Sequence, residues 1–528
     1  MQSTLSFVLL AALLIAGFTE FTTSAVVEHD NRGDRSLRLR WPKQRNTVWQ
    51  MDQLTHKPTI QEPTKSRNYP PWVTPPPNGR DALVKASIVY KNGKFNIMPN
   101  TWAPNSVAYG SLAKTLNKTG WDILDVISGT DAALRNDTAS MYAAGLVEGY
   151  LTADRIALMY TNMMANFFGT EQSRKVLLPK VRQFLTRQFQ WVRQFAAANP
   201  QSAVARHTGF VLAQLQGLID GYLARNDTVV RDPFVLHLLN AVGDMLDLQT
   251  ALNNTKEDHF MRMSQSEFTT FFQKAGHCSA LIRVTPGLEK IFMGHSSWFV
   301  YAAALRIFKN YLLKLNDKDL SSPLISFSSY PGFLESLDDF YILDSGMVVL
   351  QTTNSVFNVS LYKTVKPQSL LAWQRVRVAN QIARNGSHWA WVMTQQNSGT
   401  YNNQYMVIDL RKIRPNASID DGALTVVEQI PTLVVSSDQT GLLRTGYFPS
   451  YNVPFHETVY NLSGYPDVVK QRGLDFSYQM APERKSSAGR HLESSTQPAW
   501  RPSFASTSSP TIRTPRATRA TASAVGAT

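Results

Sequence analysis

Cys278 is the one cysteine among 528 residues, and it stands in the run Ala275-Gly276-His277-Cys278-Ser279-Ala280-Leu281-Ile282-Arg283-Val284. Without a second thiol it cannot close an internal disulfide. Two readings stay open at the level of the residues. A free cysteine can act as a small buried hydrophobe. It can also be a nucleophile, and one arrangement suits a thiol with no separate histidine base. If the peptide bond between His277 and Cys278 is cut, Cys278 becomes a chain terminus. Its α-amine, with an ordinary pKa of roughly 7.7–8.0, can then serve as base toward its own thiol. The thiol can make that cut itself by drawing the preceding acyl group from nitrogen to sulfur, after which water hydrolyses the thioester. Gly276, one residue before the scissile bond, tolerates the backbone strain such a shift needs.

Several elements must position this residue. From Cys278 on, Cys278, Ala280, Ile282 and Val284 share one face and Ser279, Leu281 and Arg283 the other, the period of a strand. Pro286-Gly287 marks a turn, and Leu288–Met293 reads as the returning strand. Upstream, from about Ser140 to Phe272, the spacing is helical. Val211, Leu215, Leu218 and Tyr222 form one stripe, with similar stripes in 142–166, 176–197 and 231–250. Asn199-Pro200 and Asp232-Pro233 are expected breaks. Before this block, Leu83–Tyr90 and Phe95–Met98 flank a Lys91-Asn92-Gly93-Lys94 hairpin signal, and Trp121–Val126 is strand-like.

Downstream, amphipathic helices are expected over Trp298–Leu315 and Leu370–Arg384. Strands are expected at Leu324–Ser329, Phe340–Thr353, Tyr405–Leu410, Leu424–Gln429 and Leu433–Val435. Turn-rich runs stand at Ser329–Gly332, Asn385-Gly386 and Asn397–Asn403. The pattern is α+β with large antiparallel sheets and no βαβ repetition. No G-x-G-x-x-G, P-loop or H-E-x-x-H is present, so no cofactor and no metal is expected.

Residues 1–25 carry an apolar run from Leu5 to Gly17 and end in Thr23-Ser24-Ala25, the build of a secretory signal peptide. Eight N-x-Ser/Thr sequons, at Asn117, Asn136, Asn226, Asn253, Asn358, Asn385, Asn416 and Asn461, fit a glycosylated passenger of the secretory pathway, bound for a lysosome or secreted. The net charge of +14 does not point to nucleic acid. Residues 26–75 carry nine Lys/Arg against five Asp/Glu, and 483–528 carry seven against two, so these two segments supply +9 of it. The first reads as a basic flexible lead-in and the second as a disordered Ser/Thr/Pro/Arg-rich tail. Neither interleaves aromatics as a nucleic-acid groove does, and peripheral contact with an anionic membrane surface remains open.

Gly276-His277-Cys278-Ser279-Ala280-Leu281-Ile282 resembles the start of the mature catalytic chain in phospholipase B-like proteins, a family of lysosomal N-terminal-nucleophile hydrolases. Further motifs follow in the same order. They are Gly294-His295-Ser296-Ser297-Trp298, Ser328–Gly332, Asp338-Asp339-Phe340-Tyr341-Ile342-Leu343, Asn397–Gln404, Glu428-Gln429-Ile430-Pro431 and Ser450-Tyr451-Asn452-Val453-Pro454.

The resemblance implies an αββα sandwich, with a mostly helical part over 76–277 and a catalytic part over 278–482. It implies autocleavage between His277 and Cys278, then hydrolysis of an acyl ester or amide bond in a lipid-like substrate through a thioester on Cys278. His295 and Trp298 would line the pocket, Thr353 would sit near the cleavage site, and Asn452 would offer an N–H to the oxyanion. The residues by themselves equally suit a turn histidine, a core tryptophan and a β-forming threonine. The chain departs from the family after Tyr478. By the resemblance, the family's arginine falls on Glu483, a charge reversal, unless Arg484 shifts into its place, and the Ser/Thr-rich tail replaces a further folded segment. The alternative class is a non-catalytic glycoprotein that keeps the fold to bind a lipid or a partner.

Overall fold

A computed structural model describes residues 83–131, 136–225, 231–253, 258–274 and 277–481, the short pieces 21–28, 37–40 and 48–51, and residues 134, 255 and 256. Most of the expected leader (1–20) and the tail from 482 onward, Glu483 included, lie outside the described residues.

Strands β1 (Phe21–Glu28), β2 (Leu37–Arg40) and β3 (Val48–Met51) come first, followed by β4 (Leu83–Lys91), β5 (Lys94–Pro99), β6 (Ala108–Ala113) and β7 (Asp122–Ser128). The helical block then supplies α1 (Asp137–Phe168), α2 (Leu178–Ala198), α3 (Ala203–Ala224), α4 (Phe234–Asn240), α5 (Val242–Leu252) and α6 (Gln265–Lys274). The helices part near Asn199-Pro200 and Asp232-Pro233, as the prolines dictate.

Next come β8 (His277–Val284), β9 (Ile291–Trp298), β10 (Ile307–Leu313), β11 (Leu324–Ser329), β12 (Phe340–Leu343) and β13 (Met347–Thr353). Helices α7 (Ala372–Ile382) and α8 (Gly386–Thr394) lead to β14 (Asn403–Asp409), the small hairpin β15 (Ile413–Arg414) and β16 (Ser418–Ile419), then β17 (Leu424–Ile430), β18 (Leu433–Asp438) and β19 (Tyr447–Ser450).

Eleven strands form one sheet in the order β18-β17-β14-β13-β12-β11-β10-β7-β6-β4-β5. It is antiparallel except where β7 meets β10, so the strands before and after the helical block join there into a single sheet. A second sheet runs β19-β8-β9-β1-β2-β3 and carries Cys278. The two sheets face each other across an apolar layer. Ala280, Ile282 and Met293 of the small sheet pack there with Val348, Leu350, Met406 and Val426 of the large one. The helices cover the other face of the large sheet, in a core that joins Val147 and Leu218 to Tyr311, Phe327 and Val349. The α+β class is therefore realised, and helix, sheet and sheet of the αββα order are present among the described residues.

Helices α1 and α3 touch backbone to backbone. A Cβ on Gly145 would lie 1.8 Å from the Gln214 carbonyl oxygen, and one on Gly217 would lie 1.9 Å from that of Tyr142. Only glycine permits that approach. Beneath it, Lys309 of β10 is buried with its ammonium 2.6 Å from Glu148 of α1. Two buried charges are tolerable because they neutralise each other and find further hydrogen bonds, here Tyr311 Oη to Glu148 and Lys309 Nζ to the Phe333 carbonyl.

Three expectations need correction. Residues 298–315 are not a helix but the end of β9, a single turn at Tyr301–Ala303 and β10, whose residues alternate buried and half-buried. Phe340–Thr353 is a hairpin of β12 and β13, turned at Gly346 with φ +84°. The lead-in over 26–75 contains β2, β3 and the end of β1, and β1 starts within the segment read as a leader. The physical reason is the edge of β9, whose unpaired backbone groups the extended segment satisfies. No helix among the described residues is long and apolar enough to cross a membrane. Of the sequon asparagines, Asn226 lies outside the described residues. Asn117, Asn136, Asn253, Asn385, Asn416 and Asn461 are exposed, and Asn358 is half-buried with its Nδ2 donating to the Leu462 carbonyl.

Candidate functional site

β8 starts at His277, and its ladder with β9 sets His277 opposite Trp298 and Cys278 opposite Ser297. The alternation of the strand turns Cys278 toward the space between the sheets, on the face of Ala280 and Ile282. Only 7 % of the residue is exposed. Its backbone N–H donates to Asn452 Oδ1 at 2.8 Å, and Asn452 Nδ2 donates to the Thr353 carbonyl at 2.5 Å. In the uncut chain, then, Asn452 offers the nucleophile residue an oxygen, while its N–H groups serve Thr353.

The thiol points at Asp339, donating to Oδ2 at 3.5 Å. Asp339 is buried at the start of β12. Its Oδ1 accepts from Gln351 Nε2 at 2.6 Å and from Tyr401 Oη at 2.9 Å. Burial pushes the Asp339 carboxyl well above the usual carboxylate range, and burial with the nearby Asp339 charge pushes the Cys278 thiol up as well. Desolvation disfavours either charge; the Asp339 charge favours the protonated thiol, while the thiol's hydrogen bond works against burial at Asp339 and favours its carboxylate. The neighbouring Asp338 turns elsewhere, to Tyr330 Oη, Ser328 Oγ and Arg306 Nε at 3.5 Å.

His295 lies on β9 opposite Ala280, 1 % exposed, with Nε2 3.8 Å from Asp339 Oδ2. Burial pulls its pKa down to about 4, so the imidazole is neutral at neutral and mildly acidic pH. Neither ring nitrogen has a hydrogen-bond partner of normal geometry. Trp298, 46 % exposed, stands at the mouth of a small pocket of about 20 Å³. Cys278, Asp339, Thr353 and Tyr401 form its polar lining, while Val242, Leu246, Phe299 and Leu337 form apolar walls. That volume holds about one water beside the thiol, so in the uncut chain the walls must part before an acyl group can enter.

Backbone strain collects here. Asp339, Tyr401 and Asn452 have φ of +57°, +50° and +64°, the left-handed region that non-glycine residues seldom adopt. Packing and hydrogen bonds hold each in place. Gly243 on α5 leaves room for Tyr401, since a Cβ there would meet the ring at 2.5 Å. Glu428, fully buried on β17, accepts the backbone N–H groups of Phe455 and His456 and the His456 Nδ1–H, and so pins the loop that carries Asn452.

Of the five site residues expected from sequence, Cys278, Trp298 and Thr353 line one pocket, and Asn452 bonds to two of them. His295 lies within ion-pair reach of Asp339. Asp339, Tyr401, Gln351, Gly243 and Glu428 were not singled out. The signal available for Asp339 was a pair of acidic residues directly before an apolar strand, where burial makes a carboxylate costly without a purpose. No metal was expected from spacing, yet folding brings Cys278, His295 and Asp339 to within 4.8 Å of one another, ligand atom to ligand atom.

A family profile described as phospholipase B matches residues 108–490. The chain is 50% identical over 383 residues to phospholipase B-like 1 of Bos taurus, covering 72% of this chain and 68% of that protein. It is 48% identical over 389 residues to phospholipase B-like 1 of Homo sapiens, covering 73% and 68%. It is 46% identical over 384 residues to phospholipase B of Crotalus adamanteus, covering 72% and 69%. A pocket built around a lone thiol, and a match that spans most of the chain at this identity, agree: the chain belongs to the phospholipase B family.

Proposed function

We propose that this protein is a phospholipase B-type acyl hydrolase that cuts itself between His277 and Cys278 and then uses Cys278 as an N-terminal nucleophile. The observation that carries the proposal is the bond from Cys278 N–H to Asn452 Oδ1, which fixes the nitrogen of the scissile bond beside a pocket containing the thiol of the same residue.

In the first stage the thiol proton passes to the Asp339 carboxylate as sulfur attacks the His277 carbonyl carbon. The carbon–nitrogen bond then breaks, and the departing nitrogen of Cys278 takes up the proton that Asp339 received, which returns Asp339 to its carboxylate. Water adds to the thioester, releasing His277 as a carboxylate and restoring the thiol. In the second stage the free α-amine, still held by Asn452 Oδ1, accepts the thiol proton. Sulfur attacks the acyl carbonyl of the substrate, the alcohol leaves with the proton, and water hydrolyses the acyl-enzyme. Asn452 Nδ2, once released from Thr353, is the donor assigned to the oxyanion, a contact worth roughly 2.7–4 kcal/mol at such sites.

The names of the relatives favour a phospholipid substrate, and an N-acyl amide needs the same groups. His295 and Trp298 act as a neutral wall behind Asp339 and an aromatic rim for the acyl chain. The expected leader and exposed sequons favour a lysosomal or secreted glycoprotein that meets lipid at a membrane surface. The test is to resolve the purified protein and its Cys278→Ala variant on a denaturing gel, then incubate both with glycerophospholipid vesicles. Fragments meeting at Cys278, together with fatty-acid release, support the proposal. A wild-type chain that remains whole after acidification refutes it.

A further inference from the structure

We propose that Cys278, His295 and Asp339 form a three-ligand site for a thiophilic divalent cation, zinc above all, which occupies the nucleophile when bound. The donor set is a thiol sulfur, an imidazole nitrogen and a carboxylate oxygen, the combination that suits zinc and excludes hard cations such as calcium and magnesium. Two of the three donor separations agree with that choice, and all three lie within 4.8 Å. Zinc bonds of about 2.0–2.3 Å in tetrahedral order hold donor atoms roughly 3.3–3.8 Å apart. Here Cys278 Sγ stands 3.5 Å from Asp339 Oδ2, and His295 Nε2 stands 3.8 Å from the same oxygen.

A second observation points the same way. His295 is 1 % exposed, and neither of its ring nitrogens has a hydrogen bond of normal geometry, the backbone of Gln351 giving only a weaker contact, a rare state for a buried imidazole. A cation at the centre of the triplet gives Nε2 a partner. The partners of Asp339 Oδ1, Gln351 and Tyr401, hold the carboxylate in its ligating orientation, the supporting role that ligand neighbours usually play. Three protein ligands leave a fourth position open toward the pocket, where water completes the shell. When the sulfur–metal bond forms, the thiol proton leaves to solvent and the sulfur lone pair is no longer available for attack. Bound zinc therefore arrests self-cleavage and turnover. That consequence rests on the hydrolase proposal, whereas the binding itself does not.

The experiment uses cobalt(II) alone as a spectroscopic stand-in, added to the full-length glycoprotein stripped with a chelator. The expected result is one cobalt per chain, a near-ultraviolet thiolate-to-cobalt band, visible bands of tetrahedral intensity, and bleaching on addition of one equivalent of zinc. Cys278→Ala should abolish the charge-transfer band. His295→Gln and Asp339→Asn should each weaken binding by at least the roughly 10- to 100-fold that loss of a mere supporting partner costs. Circular dichroism and thermal melts establish that each variant is folded, and the wild-type spectrum stands without any variant. No charge-transfer band in the wild type overturns the site. So does a band that folded His295→Gln and Asp339→Asn leave unchanged, because that is a lone thiol adduct. Since the readout is a spectrum, a chain that never cleaves can still bind cobalt, and a chain that cleaves normally can fail to.

Discussion

Asn452 Oδ1 accepts the backbone N–H of Cys278 at 2.8 Å, across a sequence separation of 174 residues. This bond ties the start of β8 to the strained loop that follows its neighbour β19 in the same sheet. Asn452→Ala leaves that N–H buried and unpaired, a loss of roughly 1–3 kcal/mol. If it falls on the transition state for self-cleavage, the two fragments should appear about 10- to 100-fold more slowly. Asn452→Asp keeps an acceptor oxygen and should slow cleavage less. Timed gel samples after synthesis compare the two.

Gly243→Ala tests the alignment of Asp339 without touching it. The added methyl meets the Tyr401 ring at 2.5 Å, so Tyr401 must move and its bond to Asp339 Oδ1 lengthens. Overpacking of this kind costs roughly 1–3 kcal/mol. The variant should melt a few degrees lower and lose hydrolysis far more than that drop explains. Full activity would show that Tyr401 does not position Asp339.

Glu428→Gln tests the support of the Asn452 loop. The glutamine amide cannot accept hydrogen bonds with both of its termini, so one of the donors from Phe455 and His456 loses its partner. The expected loss is roughly 1–3 kcal/mol of stability. Fragment formation should slow as in Asn452→Ala, which a gel and a melting curve read together.

Acid should favour this fold at two further carboxyls. Burial raises both Asp244 and Asp247 to about 6, from an ordinary value near 3.8. Between those values the native state holds protons that the unfolded chain has released, so their contribution to stability falls as pH rises from about 4 to about 6. Asp247→Asn removes one such proton. Its stability relative to wild type, read from denaturant midpoints, should improve across that window even if it starts lower. A constant difference between the two proteins would contradict the assignment.

The sequence was most legible where one period dominated. The stripe through Val211, Leu215, Leu218 and Tyr222 lies within α3, and Leu324–Ser329 is β11 residue for residue. It misled where polar residues serve the interior. Lys309 lies on a buried position of β10 because Glu148 waits on α1, so the strand's apolar alternation was broken and 298–315 read as a helix. Asn385-Gly386 read as a turn, but Asn385 caps α8 by accepting the His388 N–H. The proposed nucleophile was the legible part of the site, since a lone thiol in a chain with a leader-like start and eight sequons invites chemistry. Asp339 escaped because the sequence separation of 61 between it and Cys278 is closed only by the folding of one sheet against the other. Its role depends on burial, which no spacing encodes.

The central claim is that Cys278 becomes a chain terminus. Intact-mass and N-terminal analysis of the deglycosylated protein after incubation at mildly acidic pH tests it directly. The account predicts two fragments, the downstream one beginning with Cys278 and carrying a free α-amine, and a single whole chain for Cys278→Ala. A wild-type chain still joined at His277–Cys278, or Cys278→Ala cut as readily at the same bond, would contradict it.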